Sequence, residues 1–394
     1  MHVLQSLHQL LRKNCAHVHA ARLTALVDVV GGLLRGQTLT VTGLGRATVR
    51  DISMKQGIKQ SDRLVGNRHL TAERRSIYQA VAQHLIHPLP RPLVLVDWSD
   101  CTQDRRFLIL RASVPAGGRA LTLYEEVHPY ACYGNPRVQR AFLKTLKHVL
   151  PADARPILIT DAGFTSPWFK AVQALGWDYV GRLRSHIYYR SSPAQDWVSC
   201  RRLQQTASAT PRYCGEVEVV RYRPFSCHLY LYKQSHKGRV KKTRYGHKAL
   251  SKHSQKNAQR ERAPWLLASS VSLPAKQLIR LYRTRMQIEQ GFRDIKNHRT
   301  GFSMHESRTH SPERLANLLL IAMLATFGLW LLGRIAEAKG WHHHYQANTV
   351  RHTRTLSLFY LGILLLRGQH EFTNTDIKQA QRLVQQDMIQ QWHY

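Results

Sequence analysis

The chain has 394 residues, too many for one ordinary core, so two or three domains are expected. Hydrophobic residues make up 43% and charged residues 21%, a balance that excludes a disordered chain. The formal net charge is +34, which is self-repelling unless a polyanion neutralises it; nucleic acid is the leading partner class, with an anionic membrane surface or a ribosomal-type role as alternatives.

In chain order, residues 1–86 read as a helical, basic, DNA-binding region. VLQSLHQLL and ARLTALVDVVGGLL have helical spacing, and Arg50, Lys55, Lys59, Arg63, Arg68, Arg74 and Arg75 follow with few acids between them. HPLPRP at 87–92 is linker chemistry. PLVLV at 92–96 is continuously apolar, as in a strand buried on both faces. Strands are expected at 107–114 and 119–127 around the turn PAGG. An amphipathic helix at 137–150, a buried strand PILIT at 156–160, a helix at 166–175 and a strand at 178–184 follow. This β-β-β-α-β-α-β order is ribonuclease-H-like: an α/β mixed-sheet core in which right-handed crossover sets the fourth strand parallel beside the first.

Residues 185–263 read as a β-rich insertion ending in a basic run, which has eleven Lys or Arg and one acid between 233 and 262. That run is either a solvated loop or a DNA-tracking arm. A strand at 265–271 and one long helix at 274–297 resume the core, giving a catalytic region at 87–310. A helical C-terminal region at 311–394 follows. Within it, residues 315–333 are almost wholly apolar and approach a transmembrane length. The Ser311-Pro312 start and the polar Asn317 and Thr326 favour a buried helix, so no membrane partner is expected. The six cysteines form no C-x-x-C pair, and no signal peptide is visible; reduced thiols and a cytoplasmic location are expected.

Asp97 and Asp161 each follow a buried apolar run, LVLV and ILIT. On parallel neighbouring strands both carboxylates emerge at one sheet edge. Like charges so placed raise each other's pKa, and hard divalent cations with oxygen ligands resolve the conflict. In the helix at 274–297, Tyr282, Arg285, Glu289 and Lys296 fall at about 0°, 300°, 340° and 320°, an arc of about 60°. Phenol, guanidinium, carboxylate and ammonium then share one stripe, whereas Asp294 at about 120° cannot join it. The competing reading is a surface stripe with an ordinary Arg285–Glu289 pair.

The spacing Y-x2-R-x3-E-x6-K, preceded by V-D and T-D-A-G-F at strand ends, resembles the Y-R-E-K group of DDE transposases from bacterial insertion sequences. SDRLVGNRHL, LVDWSD, LRASV, GW and QANTVR extend the likeness to its Tn-ten-type branch over nearly the whole chain. The resemblance implies a metal triad of Asp97, Asp161 and Glu289 holding two Mg²⁺ ions, with Mn²⁺ able to substitute. It implies that Tyr282, Arg285 and Lys296 hold the DNA backbone, and that Trp265 stacks on a flipped base. It implies excision and integration of double-stranded transposon ends into target DNA through a hairpin, by a homodimer in a synaptic complex at the bacterial nucleoid. A same-fold metal-dependent nuclease without strand transfer, or an inactive DNA-binding relative, are the alternatives. Trp265 could equally be a core residue at a strand start. Asp100, Asp104, Cys101 and the consecutive His342, His343 and His344 are weaker site candidates; consecutive histidines on a helix point apart.

Overall fold

A computed structural model describes residues 2–87, 89–234, 246–247, 250–251, 255, 263–368 and 370–393. Most of the basic run at 233–262, and with it the expected DNA-tracking arm, lies outside the described residues. The fold class is mixed α/β, ribonuclease-H-like, with a β-rich insertion and helical N- and C-terminal regions. The chain divides into two compact units, Met1–Pro156 with Thr284–Tyr394, and Ile157–Arg283.

The first unit opens with five helices: α1 (His2–Asn14), α2 (Ala20–Gly36), α3 (Val41–Arg46), α4 (Met54–Val65) and α5 (Arg68–Ile86). Ser53 and Gln56 form a reciprocal capping box on α4, and Asn67 caps α5. Three antiparallel strands follow in the order β3-β2-β1: β1 (Leu93–Asp100), β2 (Phe107–Ala116) and β3 (Arg119–Pro129). Gly117 and Gly118, both at positive φ, make the tight turn between β2 and β3. Helix α6 (Pro136–Val149) comes next along the chain.

In the second unit, β4 (Ile157–Thr160), α7 (Ser166–Gln173) and β5 (Asp178–Arg182) form a parallel β-α-β step. Gly181 on β5 is required by close approach: a Cβ there would stand 2.3 Å from the Phe169 ring. The expected insertion is β-rich, with β6 (Tyr188–Arg190), β7 (Val198–Ser199), α8 (Cys200–Gln205), β8 (Arg212–Val219) and β9 (Phe225–Tyr232). β10 (Trp265–Ser269) pairs antiparallel with both β5 and β9. The strand order in this unit is β4-β5-β10-β9-β8-β6-β7, and α9 (Ala275–Arg283) ends it.

The first unit resumes with α10 (Met286–Lys296), α11 (Pro312–Ala338), α12 (Leu358–Arg367) and α13 (Asn374–His393). α11 is long and apolar enough to cross a membrane, but 94% of its most apolar window is buried inside the protein. Ser311 caps it, and Pro312 stands in its first turn. Asn317 is satisfied within this apolar helix: its amide donates to the Val65 carbonyl at 2.9 Å and to Thr71 Oγ1 at 3.1 Å, and its oxygen accepts from Arg74 at 3.1 Å. These bonds tie α11 to the N-terminal helices. That is why the expected boundary at residue 86 does not mark the edge of a compact unit.

Two expectations about elements are corrected. β1 does not stop at Val96; its pairing with β2 continues to Asp100 opposite Leu108, so Asp97 lies within the strand and Asp100 ends it. The single helix at 274–297 is two helices, with Thr284 and Arg285 in a turn. There the amides of Gln287 and Ile288 reach back only three residues, to the carbonyls of Thr284 at 2.9 Å and Arg285 at 3.2 Å. Tyr282 and Arg285 therefore do not share one continuous helical stripe.

Candidate active site

In the first unit, strand alternation turns Asp97 and Ser99 of β1 to one face, where both have partners at α10. The Arg285 guanidinium, at the N-cap of α10, is bonded to Asp97 Oδ2 at 3.3 Å and Glu289 Oε1 at 2.6 Å. One cation thus bridges the first-strand aspartate and the helical glutamate. Asp97 Oδ1 also accepts from the Trp98 amide at 2.8 Å. The Asp97 side chain is only 13% exposed and that of Glu289 41% exposed, so the pair has a buried end and an open end. Two turns beyond Glu289 on α10, the Lys296 ammonium donates to Ser99 Oγ at 2.7 Å. Burial pushes the Lys296 pKa down to about 8; Asp100, Cys101 and Asp97 favour its charge, while Arg111 opposes it.

Beneath this cluster lies a buried pair that sequence reading missed. Arg111, opposite Asp97 on β2, stands 2.5 Å from Glu125 of β3, and its guanidinium lies over the Phe292 ring at 4.5 Å. The Tyr78 hydroxyl of α5 donates to the same glutamate at 3.2 Å. Burial raises the Glu125 pKa, and Arg111 works against it. The available signal was a lone arginine inside the apolar run FLILRASV. Asp294 is outside the site, as its helical phase implied: it pairs with Arg119 at 2.8 Å, and burial raises its pKa to about 6. With the bond from the Ala116 amide to Gln287 at 3.1 Å, that pair pins α10 to the β2–β3 hairpin.

The other expected site residues belong to the second unit. Asp161 directly follows β4 and accepts from the Gly163 amide at 2.7 Å, which fixes its carboxylate in a tight turn. Trp265 opens β10 and is half-buried among aromatic rings, 5.0 Å from Tyr282 edge-on and 5.5 Å from Tyr232. Tyr282 is 3% exposed on α9.

Weaker candidates take structural roles. Asp100 pairs with Arg105 at 3.4 Å, and Asp104 bonds Thr102 and Arg106. Burial pushes the Cys101 thiol up to about 12, which leaves it unreactive. His342, His343 and His344 lie in a short 3-10 helix. Among the described residues no group of three or more His, Cys, Asp or Glu is set to hold a metal ion. The oxygen donors of Asp97 and Glu289, converging on one cation, nevertheless fit a hard divalent ion.

Residues 122–327, just over half of the chain, match the family model described as a transposase DDE domain. No curated protein matches the chain. Among solved structures, the chain is similar to that of a cryo-EM structure of the piggyBac transposase synaptic complex with hairpin DNA, at 10% identity and a TM-score of 0.42 over 96% of this chain and 73% of that one.

Proposed function

Because this chain belongs to the transposase DDE-domain family, we propose that it excises and integrates an insertion sequence by metal-dependent cleavage and joining of DNA, through a hairpin intermediate. The observation that carries this reading is the bridging of Asp97 and Glu289 by Arg285, with the Lys296 ammonium beside them. Asp161 supplies the third carboxylate. Mg²⁺, or Mn²⁺ in its place, would when bound supply Lewis acidity to the attacking hydroxyl and the leaving oxygen. Asp97, Asp161 and Glu289 would hold the metal; Arg285, Lys296 and Tyr282 would hold the scissile phosphate; Trp265 would receive an extruded base. Two copies of the chain pair the two transposon ends at the bacterial nucleoid. The test is incubation with labelled duplex carrying the element's ends, a target plasmid and Mg²⁺. Excised hairpins and joined products support transposition, whereas cleavage without joining makes the protein a nuclease.

Lys296 gives the phosphate clamp a pH dependence. Its ammonium is charged below about pH 8 and loses its proton above it. End-binding affinity is therefore expected to fall as pH rises from 7 to 9, and Lys296→Arg to flatten the fall, because arginine keeps its charge throughout. Fluorescence anisotropy on labelled ends at fixed ionic strength measures both.

The N-terminal helices bind the ends. Lys55, Lys59 and Arg63 are exposed on α4 within an arc of about 80°. Replacing all three with alanine is expected to lower the slope of log affinity against log salt by about 3, the loss of three phosphate contacts. An unchanged slope would move the end-binding face elsewhere. Deletion of this region is the wrong test, because Tyr78 and Val65 bond to β3 and α11.

A further inference from the structure

We propose that the first unit carries a second DNA-binding surface, in which Tyr130 and Tyr133 lead into the basic face of α6 and hold a single DNA strand by stacking on its unpaired bases. The inference rests on the reading of this chain as a DNA-acting protein, but not on its catalytic residues.

β3 ends at Pro129, and the chain turns through a single 3-10 turn, Tyr130–Cys132, before α6. Tyr130 is 58% exposed and Tyr133 50% exposed, so both rings reach solvent. Their rings are near parallel, 14° apart in plane with centroids 6.4 Å apart. The backbone beneath them is fixed. The Tyr130 amide donates to the Arg106 carbonyl at 2.9 Å, the Tyr133 amide to the Tyr130 carbonyl at 2.9 Å, and the Asn135 amide to the Cys132 carbonyl at 3.1 Å. The Tyr133 ring also packs at 5.9 Å against Trp98, the neighbour of Asp97 on β1. Two aromatic faces are thus held ready on a rigid support beside the strand that carries the first aspartate.

Asn135 caps α6, its side chain accepting from the Arg137 amide at 2.8 Å. One face of this helix buries Phe142, Leu143, Leu146 and Val149. The opposite face presents Arg137, Arg140, Lys144 and Lys147, all exposed, within an arc of about 80°. The helix contains no carboxylate. A helix face with four cations and no acid of its own, continuous with two exposed rings, complements a polyanion that also has flat faces. A single DNA strand has both: phosphates for the stripe, and bases for the tyrosines, since every base has a π-face. Intact duplex would meet the cations but leave the rings idle, because its bases are stacked on each other.

The experiment is anisotropy with the full-length protein, without divalent metal, on a labelled oligothymidylate of about 16 nucleotides and on a duplex of equal length. Tyr130→Ala with Tyr133→Ala is expected to weaken strand binding about tenfold or more while leaving duplex binding unchanged. Tyr130→Phe with Tyr133→Phe should keep wild-type strand affinity, since phenylalanine still stacks. Alanine at Arg137, Arg140, Lys144 and Lys147 together should lower the salt slope on the single strand by about 3. Wild-type strand affinity in the double alanine variant would overturn the proposal, as would equal weakening on strand and duplex. Asp97→Ala should bind the strand normally although it does not cleave, so failure of the catalytic reading and failure of this one give different results.

Discussion

Replacing Asp97, Asp161 or Glu289 with alanine is expected to abolish DNA cleavage while end binding persists. In the proposed function each carboxylate would hold metal, and metal stabilisation of developing charge is worth several kcal/mol; about 4 kcal/mol corresponds to roughly a thousandfold in rate. The variants should still fold. Removing Asp97 leaves Arg285 its shorter bond to Glu289 at 2.6 Å, and Glu289 is 41% exposed, so its loss empties little of the core. Asp161 sits in a turn where its main partner is the Gly163 amide at 2.7 Å. Gel-shift on labelled ends and circular dichroism establish binding and folding, and a cleavage gel reads the rate. A variant that cleaves near the wild-type rate would not be a ligand of the metal.

Trp265→Ala is expected to slow hairpin formation about ten- to hundredfold and first-strand nicking far less. Nicking needs metal, water and a held phosphate. Hairpin formation requires a 3′-OH to reach the opposite strand, which strains the backbone; extruding a base relaxes that strain at a cost of about a few kcal/mol in lost stacking. An aromatic platform returns about 1–3 kcal/mol of this. Trp265 already packs against Tyr282 at 5.0 Å and Tyr232 at 5.5 Å, so alanine also removes internal packing. Trp265→Phe separates the two effects, because a smaller ring keeps a stacking face and should recover part of the hairpin rate. Equal slowing of nicking and hairpin formation would make Trp265 a packing residue of the β10 entrance.

Much of this architecture was legible in the sequence, because short apolar runs and helical periodicity report burial directly. PLVLV and PILIT mark the two strands that lead to Asp97 and Asp161, and the Ser311-Pro312 start marks the buried helix α11. The Arg285–Glu289 spacing reported their bond, since side chains four residues apart on a helix are neighbours. Periodicity does not report where a strand stops pairing. Ser99 and Asp100 look like a loop, yet β2 supplies partners for both. Nor did it report the turn at Thr284–Arg285, which has neither glycine nor proline to announce it. Arg111 and Glu125 were invisible as a pair because register between strands decides their meeting, not spacing along the chain. The exposure of Tyr130 and Tyr133 was hidden for the same reason: aromatic residues in a sequence read as core until their neighbours are known.

The proposed function requires Asp97, Asp161 and Glu289 each to hold divalent metal when DNA is bound. Electron paramagnetic resonance of Mn²⁺ titrated into the complex with uncleaved end DNA tests it most directly, since it reads occupancy and not turnover. The expected result is tight Mn²⁺ binding by the wild type and clear loss of bound Mn²⁺ in each of Asp97→Ala, Asp161→Ala and Glu289→Ala. Undiminished Mn²⁺ binding in any of the three would contradict the shared site.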